Sequence, residues 1–481
     1  MGAMSAPKRE GNIGDSFVSL SGAARQPLPQ RYLDLKKRLI AGHERKVADS
    51  WNRLLPALAQ QNTNIAQEGS SVIPSVAFQD LARLEGLSSD VRNTIRHHGC
   101  AVVRGVIPEA EAREYKNLIE SYLAQNPGKT NAFPKDNPQV WELYWTRAQV
   151  EARGHPNMLA AQKGLMAVWD KPGPEAEIDL GAPVSYADRL RIRQPGDATF
   201  ALGPHMDGGS VERWEKEGYG LGGVYDTIFE GKWEDFSPWL VDGRIPVVQD
   251  RYQGLGACSA FRMFQAWLSM SPIGPGEGTL LVYPDVKLST AYLLLRPFFK
   301  ALKGKSELDT QKYLDPSNWV FCGEDMDTDI QGATPGHGQE LNDDAHPHLE
   351  LTKTMTPMPQ LRPGDFVVWH CDGIHAVDPK HRGTVDSSVL YIPVCPLTQL
   401  NARYLVRQRD NFRNGFPGPD FPGGKGESEH VGRVTEEDAK KMVERQALEA
   451  FGLEAFDETQ AGLSDGARKV RGMANEMLQL S

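Results

Sequence analysis

The chain has 481 residues, 40% of them apolar and 24% charged, enough apolar surface to build a buried core and to exclude wholesale disorder. Lys and Arg number 53 against 63 Asp and Glu, and this net charge of −10 argues against broad nucleic-acid binding, which needs a positive footprint. No stretch approaches the roughly 18 to 20 uninterrupted apolar residues of a membrane span, and Met1–Glu10 lacks the apolar core of a signal peptide.

Residues 1–27 are polar and rich in Gly, Ser and Ala, and are expected to form a flexible arm ahead of one domain over 28–481. Tyr32, Leu35, Leu39, Val47, Trp51, Leu54 and Leu58 recur near a 3.6-residue period, which predicts one or two amphipathic helices, with Pro56 kinking or ending one. Cys100–Val106 reads as a strand, and Pro108 suits the start of a helix over Glu109–Gln125. Gln139–Trp169 reads as two more helices broken around Gly154 and Pro156, completing a helical wrap over 28–170.

The pattern then changes. Arg189–Arg193, Ala260–Leu268, Gly278–Tyr283, Asp365–His370 and Ser387–Val394 are short, rich in β-formers and separated by Gly and Pro turns. Strands without alternating helices predict an antiparallel sandwich or barrel, here with its core at about 185–398. Two interruptions, a Trp-rich 219–252 and an acidic, Gly-rich 323–350, have the length of lids or mobile segments. Gln399–Phe412 reads as a helix, 415–427 as an exposed turn-dense stretch, and Glu436–Phe451 and Asp465–Leu480 as closing helices within 399–481. The expected class is α+β, a β core wrapped by helices from both termini.

Five scattered cysteines, Cys100, Cys258, Cys322, Cys371 and Cys395, contain no CxxC pair and exclude both a disulfide framework and a thiolate zinc site. They fit a reducing, cytoplasmic setting.

The chemistry concentrates in two motifs. In GPHMDGGSVERW (203–214), His205 and Asp207 are two residues apart, so on a strand they share a face. An imidazole and a carboxylate so placed supply two of the three ligands of a facial triad, which leaves positions open on Fe(II). In LRPGDFVVWHCDGIHAV (361–377) two histidines follow a turn, and either His370 or His375 could be the third ligand.

With these motifs, WLSMSPIGPGEGTLLVYPDV (267–286) resembles the middle of phytanoyl-CoA-hydroxylase-type members of the Fe(II)/2-oxoglutarate-dependent dioxygenases. More closely, YADRLRIRQPGD, GPHMDGGSVERW and WHCDGIHAVDP are similar to the YbiU-like family, a domain of unknown function, over about residues 30–410. The resemblance implies a double-stranded β-helix (jelly-roll) core with Fe(II) held by His205, Asp207 and His375, and selects His375 over His370. It implies 2-oxoglutarate and O₂ as cosubstrates, succinate and CO₂ as products, and hydroxylation, while the helical wraps and the two insertions suggest a covered pocket suited to a small molecule. A carboxylate at Asp207 fills the place that halide takes in related halogenases, which favours hydroxylation.

The cosubstrate's distal carboxylate wants a buried cation. The family places an Arg about eleven residues after the distal His, but position 386 is Asp and Ser387–Val394 has neither Arg nor Lys. Arg382 and Arg262 are the candidate anchors, and Ser388 a candidate hydroxyl contact. Arg191 and Arg193 make one face of their strand cationic, either for an anion or for pairing with surface carboxylates. His337, His346 and His348 have no regular ligand spacing and read as part of a mobile surface loop, and Glu212–Arg213 reads as a local exposed ion pair. The missing anchor keeps open another cupin-type metalloenzyme, an isomerase or a cosubstrate-independent dioxygenase. A non-catalytic binding barrel is the non-enzymatic alternative. No nucleic-acid or membrane partner is expected, and oligomeric state is not legible.

Overall fold

The computed structural model describes residues 8–22, 24–83, 86–199 and 202–480. Its β-rich centre forms two main sheets. The larger runs in the order Ser75–Ala77, Cys100–Arg104, Phe366–His370, Phe264–Ser269, Ser387–Tyr391, Leu190–Arg193, Val140–Trp141, Ala132–Phe133. The smaller runs Gln339–Glu340, His205–Met206, His375–Val377, Leu280–Val282, Thr356–Pro357. All neighbours in both sheets are antiparallel except Ser75–Ala77 beside Cys100–Arg104.

Alternation along the strands decides what each face meets. Trp267, Val367, Trp369 and Val389 of the larger sheet share a buried cluster with Leu280 and Val282 of the smaller, so these are the facing inner surfaces. The neighbouring residues Leu268, Phe366, Val368 and Leu390 point the other way, into a cluster with Ile119 and Leu165 of the helices Glu109–Gln125 and Pro156–Met166. On the other side, Trp51, Leu54 and Leu58 of the helix Glu44–Glu68 pack with Met206 and Ile374. The helices Gln399–Asn414 and Asp465–Leu478 close the last side through Leu405, Val470 and Leu478. The architecture is mixed α/β. Among the described residues, no helix is long and apolar enough to cross a membrane.

Several expectations are corrected. Pro56 does not end its helix but lies inside Glu44–Glu68, because a buried stripe continuing from Leu55 through Leu58 to Ile65 outweighs one lost backbone hydrogen bond. Val140–Trp141 is a strand, held by pairing to Leu190–Arg193. Glu436–Phe451 is two helices, Glu436–Met442 and Arg445–Ala450, separated where Val443 turns extended.

The flexible arm is not seen in residues 8–22, whose Ile13 and Phe17 are buried; residues 1–7 and 23 of that expectation lie outside the described residues. The two long interruptions are packed, with Trp233, Trp239, His346 and His348 all buried. Their aromatic and imidazole rings fill core positions that composition alone makes look like surface.

Candidate metal centre

His205 and Asp207 sit where the smaller sheet turns into a glycine-rich bend. Met206 points into the core, so His205 faces inward. Gly208 and Gly209 then take φ of +76° and +88°, a region that other residues enter at a cost. That bend carries Asp207 back over the strand end. It is clamped by Arg213, which donates to the carbonyls of Asp207 at 2.5 Å and Gly209 at 2.6 Å, and by the Tyr219 hydroxyl, which donates to the Gly208 carbonyl at 2.7 Å. Glu212 accepts from the Ser210 amide at 2.8 Å. Glu212 and Arg213 are therefore buried loop braces and not an exposed ion pair.

His375 starts the adjacent strand and is the direct cross-strand partner of His205. The two ring centroids lie 4.0 Å apart. Each Nδ1 faces a carbonyl two residues upstream, Gly203 at 2.8 Å and Gly373 at 3.0 Å, which fixes the tautomer with a free Nε2. His205 Nε2 lies 3.8 Å from Asp207 Oδ1, and His375 Nε2 lies 3.6 Å from Asp207 Oδ2. One ligand atom from each of the three residues falls within 4.8 Å of the others, a spacing that one ion can bridge.

The electrostatics suit a cation. Burial, with the charge of His375 adding to it, pushes His205 down to about 3, so its imidazole is neutral and its lone pair available. Asp207 is penalised by burial, yet the neighbouring His375, His205 and Arg262 side chains hold it well below the usual carboxylate range.

Gln265, which the sequence reading missed, orients the carboxylate. In the amide orientation its neighbours require, its nitrogen donates to Asp207 Oδ2 at 2.5 Å and its oxygen accepts from Trp369 Nε1 at 3.3 Å. Phe17, also missed, places its ring edge-on to His205 at 4.8 Å. No local signal marks either role, since both depend on contacts distant in sequence.

His370 lies apart from this group. Its Nε2 donates to the Pro238 carbonyl at 3.0 Å, its Nδ1 accepts from the Asp372 amide at 3.0 Å, and its ring stacks on Trp169 at 4.7 Å. It also falls within a second group, with Cys371 and Asp372, that could hold an ion. There Asp372 is committed to Arg244 at 2.5 Å, so the group reads as structural.

The three ligands line a cavity of about 120 Å³ that also reaches Phe17, Arg262, Trp267 and Tyr391. Of the expected cosubstrate contacts, Arg262 is here. Arg382 is not: it is exposed on a turn, its amide donating to Gly276 at 2.8 Å. Ser388 is buried on the outer face of its strand and donates to Asp386 at 2.5 Å. His337 reaches the cavity wall, whereas His346 and His348 are buried elsewhere.

Arg191 and Arg193 are buried rather than surface-paired. Arg193 meets Asp197 at 2.7 Å. Arg191 faces inward opposite Val389 and lies over the Trp267 ring at 4.8 Å. Its Nη2 donates to the Gly278 carbonyl at 2.9 Å, while Nε and Nη1 meet no acceptor among the described residues. A buried guanidinium with two orphaned donors is costly unless a ligand satisfies them.

Comparison with known proteins agrees with the resemblance seen in the sequence. The chain is 29% identical over 379 residues to "Uncharacterized protein YbiU" of Escherichia coli (strain K12), covering 76% of this chain and 83% of that one. The crystal structure of GlcNAc Inducible Gene 2, GIG2 (DUF1479), from Candida albicans matches with a TM-score of 0.83 at 32% identity, over 95% of this chain and 96% of the other. A hypothetical protein from Escherichia coli matches with a TM-score of 0.73 at 28% identity, over 89% and 98% of the two chains. The Gig2-like family model spans residues 26–453, and the chain belongs to the Gig2-like family.

Proposed function

We propose that the protein is a non-haem Fe(II)/2-oxoglutarate-dependent oxygenase that hydroxylates a small-molecule substrate with release of succinate and CO₂. The observation that carries this reading is the convergence of His205 Nε2, the Asp207 carboxylate and His375 Nε2 within 4.8 Å at the end of a cavity. Two imidazoles and one carboxylate on one side of an ion are the donor set of the facial triad, and they fit Fe(II) with positions left for other ligands. The two facing antiparallel sheets, with the His205 and His375 strands adjacent in the smaller, support a double-stranded β-helix core.

The iron, when bound, supplies the redox chemistry that couples O₂ activation to oxidative decarboxylation of the cosubstrate. The chain supplies position. Gly203 and Gly373 carbonyls hold the imidazoles, Gln265 holds the carboxylate, and Phe17 packs its ring against His205. For the distal carboxylate of 2-oxoglutarate we assign Arg191, whose orphaned Nε and Nη1 lie on the strand paired with Ser387–Tyr391. The cation expected on the last strand is thus offered by its cross-strand neighbour. This weakens the case for a cupin-type enzyme without cosubstrate, which rested on a missing anchor.

The test is anaerobic addition of Fe(II) and 2-oxoglutarate to the purified protein. A visible metal-to-ligand charge-transfer band is expected in the wild type and not in His205→Ala. Its absence in folded wild-type protein contradicts the proposal.

A further inference from the structure

The cavity has a cation on its wall, Arg262, that the cosubstrate reading leaves unused. Arg262 lines its wall with a side chain only 11% exposed, and its Nη2 stands 4.0 Å from Asp207 Oδ2, beyond hydrogen-bond reach. The guanidinium lies over the Tyr186 ring at 5.6 Å and makes no hydrogen bond to any described residue. Of the other carboxylates lining it, Asp188 has Oδ1 engaged by the Arg189 amide at 2.6 Å and Nε at 3.3 Å, and Glu212 accepts from the Ser210 amide at 2.8 Å. A guanidinium on the cavity wall that meets a carboxylate only at 4.0 Å and makes no hydrogen bond to a described residue marks a place for an acceptor from outside.

Geometry separates this acceptor from the cosubstrate's distal end. A five-carbon diacid chelating the ion through its keto end carries its other carboxylate several bonds away, whereas Arg262 stands beside the ion's own ligand. Arg191 lies instead against the Trp267 ring at 4.8 Å. The lining includes the apolar side chains Ile13, Phe17, Leu202, Leu255 and Phe421, two of them aromatic rings.

We propose that Arg262 binds the substrate that is oxidised, and that this substrate is an organic carboxylate with an apolar, ring-sized body. The carboxylate pairs with the guanidinium, and the body lies against Phe17 and Phe421 beside the metal ligands. This inference deepens the oxygenase reading and rests on it for the chemistry that follows binding, but the binding itself does not require turnover.

The experiment uses the full-length protein with Zn(II), which cannot support oxidation, and isothermal titration with 3-phenylpropionate and its uncharged analogue 3-phenylpropanol. The wild type is expected to bind the carboxylate at least tenfold more tightly. Arg262→Gln is expected to reduce that preference to within twofold, Arg262→Lys to keep part of it, and both to bind 2-oxoglutarate within threefold of the wild type. Equal binding of acid and alcohol by the wild type overturns the inference, as does a preference that survives Arg262→Gln. A tenfold or greater loss of 2-oxoglutarate affinity in Arg262→Gln also overturns it, because Arg262 is then the cosubstrate anchor. If 2-oxoglutarate fails to bind the wild type while the Arg262-dependent preference is present, the inference stands and the cosubstrate reading falls.

Discussion

His205 and His375, far apart in sequence, are direct cross-strand partners in adjacent antiparallel strands, with ring centroids 4.0 Å apart. Register alone therefore fixes their separation. A one-residue slip of either strand would turn one imidazole to the outer face and abolish the site. His375→Ala is expected to lower Fe(II) affinity at least 100-fold with little loss of stability. His370→Ala, five residues earlier, is expected to leave affinity within a few-fold but cost about 2–4 kcal/mol, since it removes two hydrogen bonds and a stacked ring from the core. Metal titration and urea unfolding on both variants check the pair.

Gln265 holds Asp207 through a hydrogen bond and is itself held by Trp369. Groups that orient a metal ligand from behind typically change affinity by about 10- to 100-fold when lost. Gln265→Leu is expected to weaken Fe(II) binding within that range while the fold is kept. A change under threefold would remove Gln265 from the account.

Phe17 covers the metal ligands from a segment whose seat is cut for it. The Gly338 amide donates to the Ser16 carbonyl at 2.9 Å, and a Cβ on Gly338 would come within 2.5 Å of the Phe17 ring. Gly338→Ala is thus expected to push the ring off His205. Both it and Phe17→Ala should let a chelator strip the metal several-fold faster, with equilibrium affinity changed less than threefold. Unchanged stripping rates would mean that the ring does not guard the site.

How much of this was legible in the sequence follows from the range of the interaction concerned. His205 and Asp207 were visible because two residues on one strand share a face without help from the rest of the chain. His375 needed a family resemblance, since nothing local separates it from His370. Ser388 was assigned to the cavity and lies on the other side of its strand, because alternation gives two faces but pairing decides which is inner; here Val389 and Tyr391 face in. Arg191 was left between holding an anion and pairing with surface carboxylates for the same reason: its strand is buried between Val140–Trp141 and Ser387–Tyr391, a pairing that no sequence pattern announces. Gln265 and Phe17 act across the fold and left no local signal at all.

His346 and His348 carry a pH dependence of stability. Burial, with the Arg296 charge adding to it, pushes both down to about 3, against about 6.5 when unfolded. Between those values the unfolded chain binds more protons than the folded one, so stability is present above about pH 6.5 and is lost as pH falls toward 3. Each group contributes about 1.4 kcal/mol per pH unit across that window. The double variant His346→Gln/His348→Gln is expected to unfold with about two fewer protons taken up at pH 5, measured from the pH dependence of urea unfolding. An unchanged proton uptake would place these rings in water.

Whether His205, Asp207 and His375 bind one ion is decided by anomalous diffraction from crystals soaked anaerobically in Mn(II). A single strong peak is expected within bonding distance of His205 Nε2, an Asp207 carboxylate oxygen and His375 Nε2. A peak at the His370, Cys371 and Asp372 group instead, or none at the triad with the metal in excess, would contradict it.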